Sequence, residues 1–536
     1  MIRIAMIGGG PKSLFALLEL NDVLDAEEAQ RVRVDVYDPY PPGAGRVWNT
    51  SQPKELRLNV NSRIIDASFS ENDQTFDQFK AGQAVEGIHD VFASRAVVGQ
   101  YLNQQFELLA KNGRLQVSHR PAGVQKVERD SRQWTVSTSS SAENYDEIVL
   151  ATGHGLTGYD RDRMQGSTLA AAQLTVEQTD DAVRQVPAGS EVLIRGAALT
   201  AYDVIMALTE GRGGRWVPGS DDSVGSLAYL SSGEEPALLT MTSRLGIPMS
   251  PKPRDVGTEL NGVLNSYRAR VRAWGEAAIP GTDVLWRILV ECAKAVADLN
   301  GVTATRDSLR DTILAGRSAQ FIECDSPFEQ LRFSLEANRG DKPKTHEWVW
   351  AVTWSKLYAE IVEALSRYNW SEAERDEFTV AAANLERMAF GPPEPIAEKL
   401  LALHDAGLLG HERADASFES NQEVPGQVMI DAVSIAPGVL TAPAPQGNPA
   451  DTLFSMLLES GEIMVRNGER GLFTDTDGTC FDARGERNES LTALGRPSED
   501  PTLGHDTLNR TLHTEYRKWA RRITAQAAAK SQKAAH

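Results

Sequence analysis

Three consecutive glycines, Gly8, Gly9 and Gly10, stand directly before an apolar segment near the start of the 536-residue chain. Glycine at these positions lets the backbone turn tightly and approach a phosphate, and the free N–H groups of a following helix favour the negative charge. The pattern reads Gly8-x-Gly10-x-x-Ser13, in which a small serine takes the place of the last glycine of the usual fingerprint. These residues predict a site for the pyrophosphate of a dinucleotide.

The segments around this glycine turn follow the order of a βαβ unit. Residues 2–7 form a short apolar run typical of a buried parallel strand, residues 14–24 form an apolar helix, and residues 32–37 form a second strand. Asp38 ends that strand, where an acid is placed to bind the ribose hydroxyls of an adenosine. The alternative is an ordinary glycine turn, with Asp38 only starting the next turn. The order of the segments favours the dinucleotide site.

A loop rich in proline and glycine follows this second strand and is suited to lie along an extended cofactor. Residues 39–48 read Pro-Tyr-Pro-Pro-Gly-Ala-Gly-Arg-Val-Trp, and this composition predicts a rigid turn. Arg46 is suited to neutralise a phosphate and Trp48 to cover a flavin ring, although a surface loop with a half-buried tryptophan explains the same residues. Further on, Asn59 and Asn61 fall on one side of an alternating segment and offer amide groups suited to a flavin edge.

Another apolar strand, within residues 145–150, ends in Ala151-Thr152-Gly153-His154. The small residues would let the chain pass close to a cofactor at the same edge of the sheet. A polar residue beside such a loop is more often a hydrogen-bonding or packing partner than a catalytic group. His154 is therefore predicted as a cofactor contact, and no catalytic residue is assigned.

A second arrangement of strand, glycine and helix begins with the strand of residues 191–195. This strand meets Gly196, and Thr200 stands at the start of the following helix. Ala198 and Ala201 occupy positions where glycines would complete the fingerprint. Ala201 is small enough for helix–strand packing, whereas Ala198 would hinder the approach of a pyrophosphate. The turn predicts a nicotinamide site, with a decayed site as the alternative.

The next strand of this second fold ends in Ser243-Arg244. A nicotinamide cofactor without a phosphate on its adenosine ribose prefers an acid at this position, whereas serine and arginine suit the 2′-phosphate of NADP. We therefore predict NADPH in preference to NADH. A solvated surface side chain is the alternative interpretation of Arg244.

Helical patterns dominate the middle of the chain, and strand patterns return near its end. Six of the ten tryptophans lie in the helical region, where they predict either a roof over the flavin or aromatic core packing. A late glycine turn at Gly495 and the following His505 are suited to present polar groups to the flavin. The patterns predict the first part of an FAD-binding domain, an NADP-binding Rossmann-like domain, a helical substrate region, and a return to the FAD-binding domain with a carboxyl-terminal helix, at residues 1–155, 156–255, 256–422 and 423–536.

Composition argues against several classes of function. The net charge of −19 disfavours a nucleic-acid partner, because such a partner requires a basic face. No apolar run reaches the length of a membrane helix, and a strand pattern begins at the second residue. Neither a membrane anchor nor a signal peptide is therefore expected, and the cytoplasm is the predicted location. The three cysteines lie far apart and match no metal-binding spacing, so no metal site is predicted.

Taken together, these motifs resemble those of the bacterial FAD/NAD(P)-binding protein family. This group includes relatives of N-hydroxylating flavin monooxygenases and of the nitrosuccinate synthases, which oxidise the amine of aspartate. The resemblance implies FAD, NADPH and molecular oxygen, and it leaves the substrate and the oligomeric state open. It is carried by residues 8–11, 38–48, 151–154, 195–196, 210–214, 243–244 and 389–393.

The sequence thus predicts an α/β fold with two Rossmann-like dinucleotide-binding domains, for FAD and NADP, and a helical insertion. It predicts an FAD-dependent, NADPH-using monooxygenase that oxygenates the nitrogen of a small amine or amino acid, with an aspartate-like substrate as one candidate. Two alternatives stay open: an FAD-dependent oxidoreductase or oxidase without oxygen transfer, and a flavin-binding regulatory protein with a decayed nicotinamide site. The predicted cofactor-binding residues are Gly8, Gly10, Pro11, Lys12, Ser13, Asp38, Pro39, Gly45, Arg46, Val47, Trp48, Asn59, Asn61, Thr152, Gly153, His154, Gly196, Thr200, Ser243, Arg244, Gly495 and His505.

Overall fold

The structure of the chain is a computed structural model, which describes residues 1–82, 91–130, 133–155, 168–178, 180–219, 227–254, 256–277, 281–322, 326–414 and 427–534. The chain divides into two compact units. The first unit combines Met1–Gly158 with Ile435–His536, and the second unit is Tyr159–Ser434. Both ends of the chain therefore contribute to the first unit. The finer boundaries drawn from the sequence stay predictions.

The described strands are numbered in chain order. They are β1 (Ile2–Ile7), β2 (Val32–Tyr37), β3 (Gln116–Arg120), β4 (Lys126–Arg129), β5 (Trp134–Ser137), β6 (Ala142–Tyr145), β7 (Glu147–Leu150), β8 (Leu169–Ala170), β9 (Glu191–Arg195), β10 (Arg215–Val217), β11 (Ala228–Leu230), β12 (Leu238–Ser243), β13 (Leu409–Arg413), β14 (Val428–Asp431), β15 (Thr479–Phe481) and β16 (Arg487–Ala493).

The described α-helices are numbered in the same way. They are α1 (Pro11–Val23), α2 (Ala26–Ala29), α3 (Phe76–Ala81), α4 (Arg95–Asn112), α5 (Ala171–Thr175), α6 (Asp180–Arg184), α7 (Leu199–Leu208), α8 (Thr258–Glu276), α9 (Asp283–Leu299), α10 (Arg306–Ala315), α11 (Ala319–Ile322), α12 (Pro327–Arg339), α13 (His346–Leu365), α14 (Glu372–Ala389), α15 (Glu394–Asp405), α16 (Thr452–Glu459) and α17 (Glu515–Ala534). Within the described ranges, none of these helices combines the length and the apolar composition that a membrane crossing requires.

β1 lies at the centre of a six-stranded sheet in the first unit, with the order β15-β16-β7-β1-β2-β3. The paired strands are parallel except β15 and β16, which are antiparallel. Along β1, Ile4 and Met6 face a core that includes residues of α1, α4 and α17, whereas Ala5 and Ile7 face a second core. Because side chains alternate along a strand and both faces of this sheet are covered, every residue of β1 except Arg3 is apolar.

A buried carboxylate fastens helix α17 to this sheet. Glu147 on β7 accepts hydrogen bonds from Trp519 Nε1 and Thr492 Oγ1, both at 2.9 Å, and from both terminal nitrogens of Arg522. The side chain of Glu147 is 2% exposed, so its charge depends on Arg522 and on these donors for compensation. This network holds the last helix of the chain on the sheet that carries the first glycine turn.

β9 lies at the centre of a five-stranded parallel sheet in the second unit, with the order β13-β12-β9-β14-β8. Helices α5, α7, α12 and α15 contribute apolar side chains to its core. These features confirm the predicted fold class, in which a second parallel sheet and a helical region accompany the first sheet.

Two strands of this second sheet differ from the sequence prediction. The sequence assigned the strand near residues 426–433 to the return into the FAD-binding domain, but β14 pairs with β9 from Val428↔Val192 to Asp431↔Arg195. β13 lies within the region predicted as helical and pairs with β12. Both strands are short, and each completes its backbone hydrogen bonds on a strand that is distant in the chain.

The tryptophans of the helical region pack largely against other aromatic side chains. Trp354 is fully buried on α13, and the rings of Trp274 and Tyr368 have centroids 5.9 Å apart. Trp370 lies 4.8 Å from Phe378. Aromatic core packing, one of the two predicted explanations, therefore accounts for the abundance of tryptophan in this region.

Candidate dinucleotide-binding sites

The first glycine turn lies where the strand order of its sheet changes direction. β2 and β3 lie on one side of β1 and β7 lies on the other, and open parallel sheets bind ligands at the carboxyl ends of strands at such a switch point. Gly8 has φ +97°, and a Cβ atom on it would lie 2.3 Å from Ala151 O, so only glycine fits. A Cβ on Gly10, in contrast, would meet no atom within 4 Å. The open space beside Gly10, at the start of α1, fits the pyrophosphate of a dinucleotide.

Pro11 and Ser13 shape the first turn of α1. Pro11 is the first residue of the helix, a position at which its missing N–H leaves no hydrogen bond unmade. Ser13 is buried, and its Oγ donates to Gly8 O. The serine therefore satisfies the predicted need for a small residue and also closes the glycine turn.

Asp38 braces the glycine turn from the end of β2. Its Oδ2 accepts a hydrogen bond from Gly9 N at 2.6 Å, and its Oδ1 accepts one from Tyr40 N at 2.8 Å. Burial raises the pKa of Asp38, and these two bonds oppose the rise. Each carboxylate oxygen keeps a further lone pair for a ribose hydroxyl. The structure thus gives Asp38 a bracing role, while its contact with a ribose stays a prediction.

The proline-rich loop packs directly on the glycine turn. Gly43 N donates to Gly9 O at 2.6 Å. Gly45 has φ +62°, and a Cβ on it would lie 2.9 Å from Gly10 Cα. The loop therefore runs beside the open space at Gly10, where the sequence predicts the cofactor.

The other predicted residues of this region differ in exposure. Arg46 is 9% exposed, and Trp48 is half-buried against the first core. Asn61 caps a short turn of helix by accepting a hydrogen bond from Arg63 N at 3.0 Å, so its carboxamide oxygen is already engaged. Asn59 is half-buried. The exposed members are Pro39 and Val47.

The chain after β7 places polar side chains at the same edge of the sheet as the glycine turn. Thr152 Oγ1 is buried and has no hydrogen-bond partner among the described residues, which leaves it available to an additional group. The space beside Gly153, whose φ is +60°, is open. Burial, helped by nearby Arg496 and Arg46, lowers the pKa of His154 to about 3. His154 is therefore neutral near pH 7 and acts as a hydrogen-bonding group, not as a cation.

Lys12, in the first turn of α1, faces the carboxyl-terminal segment. Its Nζ donates to Thr507 O at 2.7 Å. Burial lowers the pKa of Lys12 to about 8, and nearby Asp506 and Glu499 oppose the shift. A Cβ on Gly495, whose φ is +79°, would lie 2.9 Å from Lys12 Cγ. The structure thus brings Gly495 to the start of α1 and binds the Lys12 ammonium to a backbone carbonyl, while the contact of Lys12 with the cofactor stays a prediction.

His505 lies in a buried cluster with His513 and Glu515, whose ligand atoms lie within 4.8 Å of one another. His505 N donates to Glu499 Oε1 at 3.1 Å, and His513 Nε2 lies 3.0 Å from Gly504 O. The two imidazole rings stack at 3.9 Å with 16° between their planes, so their in-plane lone pairs run side by side instead of converging on one ion. Stacking and hydrogen bonding explain this cluster better than a metal does, and the predicted cofactor contact of His505 stays a prediction.

The second glycine turn follows β9 and also lies at a switch point, with β12 on one side and β14 on the other. Gly196 has φ +111°, and a Cβ on it would lie 3.2 Å from Ala432 O. Ala198, directly before α7, has an extended backbone with φ −119°, which any residue adopts. Thr200 Oγ1 lies 3.3 Å from Ser434 Oγ. The turn therefore keeps a glycine conformation at Gly196 in spite of the alanine at 198.

Ser243 is the last residue of β12, and the exposed Arg244 follows it. Ser243 Oγ lies 2.9 Å from His411 Nε2 on β13. Burial lowers the pKa of His411 to about 4, so its imidazole is neutral near pH 7. Sequence reasoning missed His411 because it did not predict β13. The available signal was Gly407, which ends α15 and is followed by an apolar segment.

A cavity of about 330 Å³ lies among α9, α10 and α14 of the second unit. Its lining contains arginines and carboxylates in equal number, and no residue predicted for either dinucleotide site contributes to it. The charged lining residues are Asp283, Arg287, Arg306, Asp307, Arg310 and Glu377.

The chain spans less than half the length of the curated relatives that it matches. The family described as FAD-NAD(P)-binding matches residues 5–155. A nitrosuccinic acid synthase from Aspergillus oryzae is 30% identical over 272 residues, which cover 46% of this chain and 40% of that protein. An L-aspartate N-monooxygenase (nitrosuccinate-forming) from Streptomyces davaonensis is 26% identical over 293 residues, which cover 46% of this chain and 44% of that protein.

Two solved structures are similar along almost the whole chain at low identity. An ornithine N-hydroxylase from Kutzneria sp. 744 is 13% identical, covers 98% of this chain and 99% of its own, and has a TM-score of 0.45. A reduced ornithine hydroxylase from Pseudomonas aeruginosa is 11% identical with the same coverage and a TM-score of 0.47. The region similar to the FAD-NAD(P)-binding family, residues 5–155, contains the first glycine turn and the strands β1, β2 and β7 around it.

Proposed function

We propose that the chain is an FAD-dependent, NADPH-using monooxygenase that oxygenates the nitrogen of a small amine or amino acid, with an aspartate-like substrate as the first candidate. The observation that carries the proposal is the presence of two glycine turns, each after a parallel strand at the switch point of its own sheet. Two such turns supply one dinucleotide site in each unit. The names of the curated relatives, nitrosuccinic acid synthase and L-aspartate N-monooxygenase, supply the choice of amine oxygenation.

The residues of the first turn fit FAD. The open space at Gly10 and the first N–H groups of α1 would hold the pyrophosphate. Asp38 would bind the adenosine ribose while it braces the turn, and the buried Arg46 would offset phosphate charge. Thr152 Oγ1, which lacks a partner among the described residues, would donate to the cofactor. Bound FAD supplies the redox chemistry that links a nicotinamide to oxygen.

The residues near Thr152 also bear on protons. Because the pKa of His154 is lowered to about 3, the imidazole holds no extra proton at neutral pH. A ring nitrogen of the neutral imidazole can accept or donate a hydrogen bond. The positive charges near His154 are those of Arg46 and Arg496.

The second turn would hold NADPH in the second unit. Gly196 keeps φ +111°, and α7 begins directly after Ala198 with no side-chain cap on its first N–H groups. Those groups would bind the pyrophosphate, and the hydroxyls of Thr200 and Ser434 would add donors beside it. The positive φ of Gly196 and the uncapped N–H groups of α7 favour a working nicotinamide site over a decayed one.

The test of the proposal is anaerobic reduction of the purified yellow holoprotein by NADPH and by NADH, followed by oxygen with and without L-aspartate. We expect NADPH-selective reduction and amine-dependent formation of an N-oxygenated product. Gly196→Ala should slow the reduction by NADPH without releasing FAD. Gly189→Ala is the matched control, because Gly189 also has a positive φ of +72° but has open space around it.

Two outcomes would contradict the proposal in different ways. If neither nucleotide reduces the flavin, the nicotinamide site is decayed and the regulatory alternative is correct. If reduction is fast but the amine is oxidised without incorporation of oxygen, the chain is an oxidoreductase or oxidase. The cytoplasmic location and the oligomeric state stay predictions that this test does not address.

A further inference from the structure

The strand beside β12 brings a second arginine to the end of the second dinucleotide site. β12 and β13 are parallel, and their register pairs Ser243 with Arg413. In a nucleotide-binding sheet, the residues at the carboxyl end of the second strand meet the hydroxyls of the adenosine ribose. Arg413 therefore reaches the same position as Ser243 and Arg244, although it lies far from both in the sequence.

Backbone contacts fix Arg413 to the turn that follows β12. Arg413 Nε donates to Arg244 O at 3.2 Å, and Ala414 N donates to Ser243 O at 2.9 Å. Gly246, with φ +64°, brings the turn so close that a Cβ on it would lie 3.2 Å from Arg413 Cβ. Because the Nε–H is occupied by a carbonyl, the two terminal nitrogens of the guanidinium remain for an anion, the arrangement that favours bidentate binding.

The charge at this strand end is positive. Arg244 and Arg413 are both exposed, and neither belongs to an ion pair within the part of the chain that the structure describes. Glu412 points to the opposite face of β13, because side chains alternate along a strand. His411, which shares the face of Arg413, has a pKa lowered to about 4 and so adds a neutral hydrogen-bonding group, not a charge.

We propose that Arg413 is a specificity residue that, with Arg244 and the Ser243–His411 pair, binds the 2′-phosphate of NADPH. The inference rests on the proposed function for the presence of a nicotinamide nucleotide, and it adds a residue from a different strand to the predicted site. An acid at position 243 or 244 would repel that phosphate, and the chain has a serine and an arginine there. Arg413 discriminates between nucleotides and takes no part in the chemical step.

The test is isothermal titration of the FAD-loaded protein with adenosine 2′,5′-bisphosphate and with adenosine 5′-monophosphate, which differ only in the 2′-phosphate. Arg413→Gln should weaken binding of the bisphosphate roughly 10- to 100-fold and change binding of the monophosphate by less than about twofold. Arg413→Lys should fall between, because a lysine keeps the charge but not the bidentate geometry. Arg215→Gln is the control, since Arg215 is an exposed arginine on β10 of the same unit.

Equal weakening of both nucleotides by Arg413→Gln would overturn the inference, and so would unchanged binding of the bisphosphate. Thermal melting of each variant separates a loss of fold from a loss of contact. The titration needs neither oxygen nor an amine. A protein that passes it but forms no oxygenated product would therefore refute the proposed reaction and leave the role of Arg413 intact.

Discussion

The first glycine turn is held from two sides. On one side, the backbone of Ala151 lies so close to Gly8 that a Cβ would come within 2.3 Å of its carbonyl oxygen. On the other side, Asp38 binds Gly9 N and so ties the turn to the end of β2. Ser13 closes the turn from α1. The backbone donors proposed to bind the pyrophosphate are therefore held in place by contacts within the protein.

The second glycine turn has fewer supports. The nearest atom to a Cβ on Gly196 would be Ala432 O at 3.2 Å. A shift of a few tenths of an ångström would relieve this tight contact. The residue that corresponds to Asp38 is Ser243, and its side chain contacts His411 instead of the turn. A braced turn suits a cofactor that stays bound, whereas a looser turn suits a nucleotide that arrives and leaves in each cycle. The difference between the turns is thus one of preorganisation.

The largest predicted effect comes from a substitution that disrupts the first glycine turn. Gly8→Ala forces a side chain into the backbone of Ala151 at a positive φ and should lower the free energy of unfolding by roughly 2–4 kcal/mol with complete loss of FAD. Gly10→Ala should leave the free energy of unfolding nearly unchanged but weaken FAD, because its Cβ enters only the open space. Urea unfolding and the yellow colour of the purified variants measure both effects. Similar losses of stability in the two variants would refute the assigned roles.

A smaller effect is expected when the hydrogen bonds of Asp38 to the first turn are weakened. Asp38→Asn keeps one acceptor oxygen, so one of the two N–H groups of Gly9 and Tyr40 loses its partner. We expect a loss of about 1–3 kcal/mol in the free energy of unfolding and roughly tenfold weaker FAD binding, followed by flavin fluorescence. Ser243→Ala in the second turn should leave the free energy of unfolding within about 0.5 kcal/mol of the parent. Equal effects at the two positions would show that the turns do not differ in bracing.

The pH dependence of stability should also distinguish the turns. The pKa of Lys12 is lowered to about 8, so between this value and the usual value of 10.5 the unfolded chain binds more protons than the folded one. The free energy of unfolding of the FAD-free protein should therefore rise with pH in this window, by about 1–2 kcal/mol from pH 8 to pH 9.5 relative to Lys12→Met. Urea titrations at the two pH values measure it. A parallel pH dependence of the parent and the variant would contradict the lowered pKa.

The smallest predicted effect concerns the alanine of the second turn. Ala198 has φ −119° and ψ −169°, a conformation open to any residue, so it does not strain the turn. Ala198→Gly should change the dissociation constant of NADPH by no more than about threefold, as measured by titration of the oxidised protein. An increase in affinity of tenfold or more would show that Ala198 obstructs the pyrophosphate and would support the decayed-site alternative.

The local structure of the first glycine turn could be predicted from sequence because its parts are close together in the chain, whereas the cofactor contacts of its residues stay predictions. The turn at Gly8, the helix after it and Asp38 at the end of the next strand form one local pattern, and local patterns carry their own periodicity. The bracing contact of Asp38 with Gly9 N could not be read from that pattern, since it depends on the rotamer of one side chain.

The second site was predicted less completely because strand pairing over long distances builds it. β14 joins β9 and β13 joins β12 across the whole helical region, and the segments are too short to show a strand period. His411 and Arg413 therefore come beside the end of β12 only through the register of β13. In the same way, Lys12 meets Thr507 through the folding of the last segment onto α1, which no local pattern predicts.

The most direct test of the account is turnover of the holoprotein with NADPH, L-aspartate and isotopically labelled molecular oxygen, followed by mass spectrometry of the product. We expect an N-oxygenated product that carries label from the gas and forms in proportion to the NADPH consumed. Consumption of NADPH with release of hydrogen peroxide and unmodified amine, for aspartate and for a panel of small amines and amino acids, would contradict it.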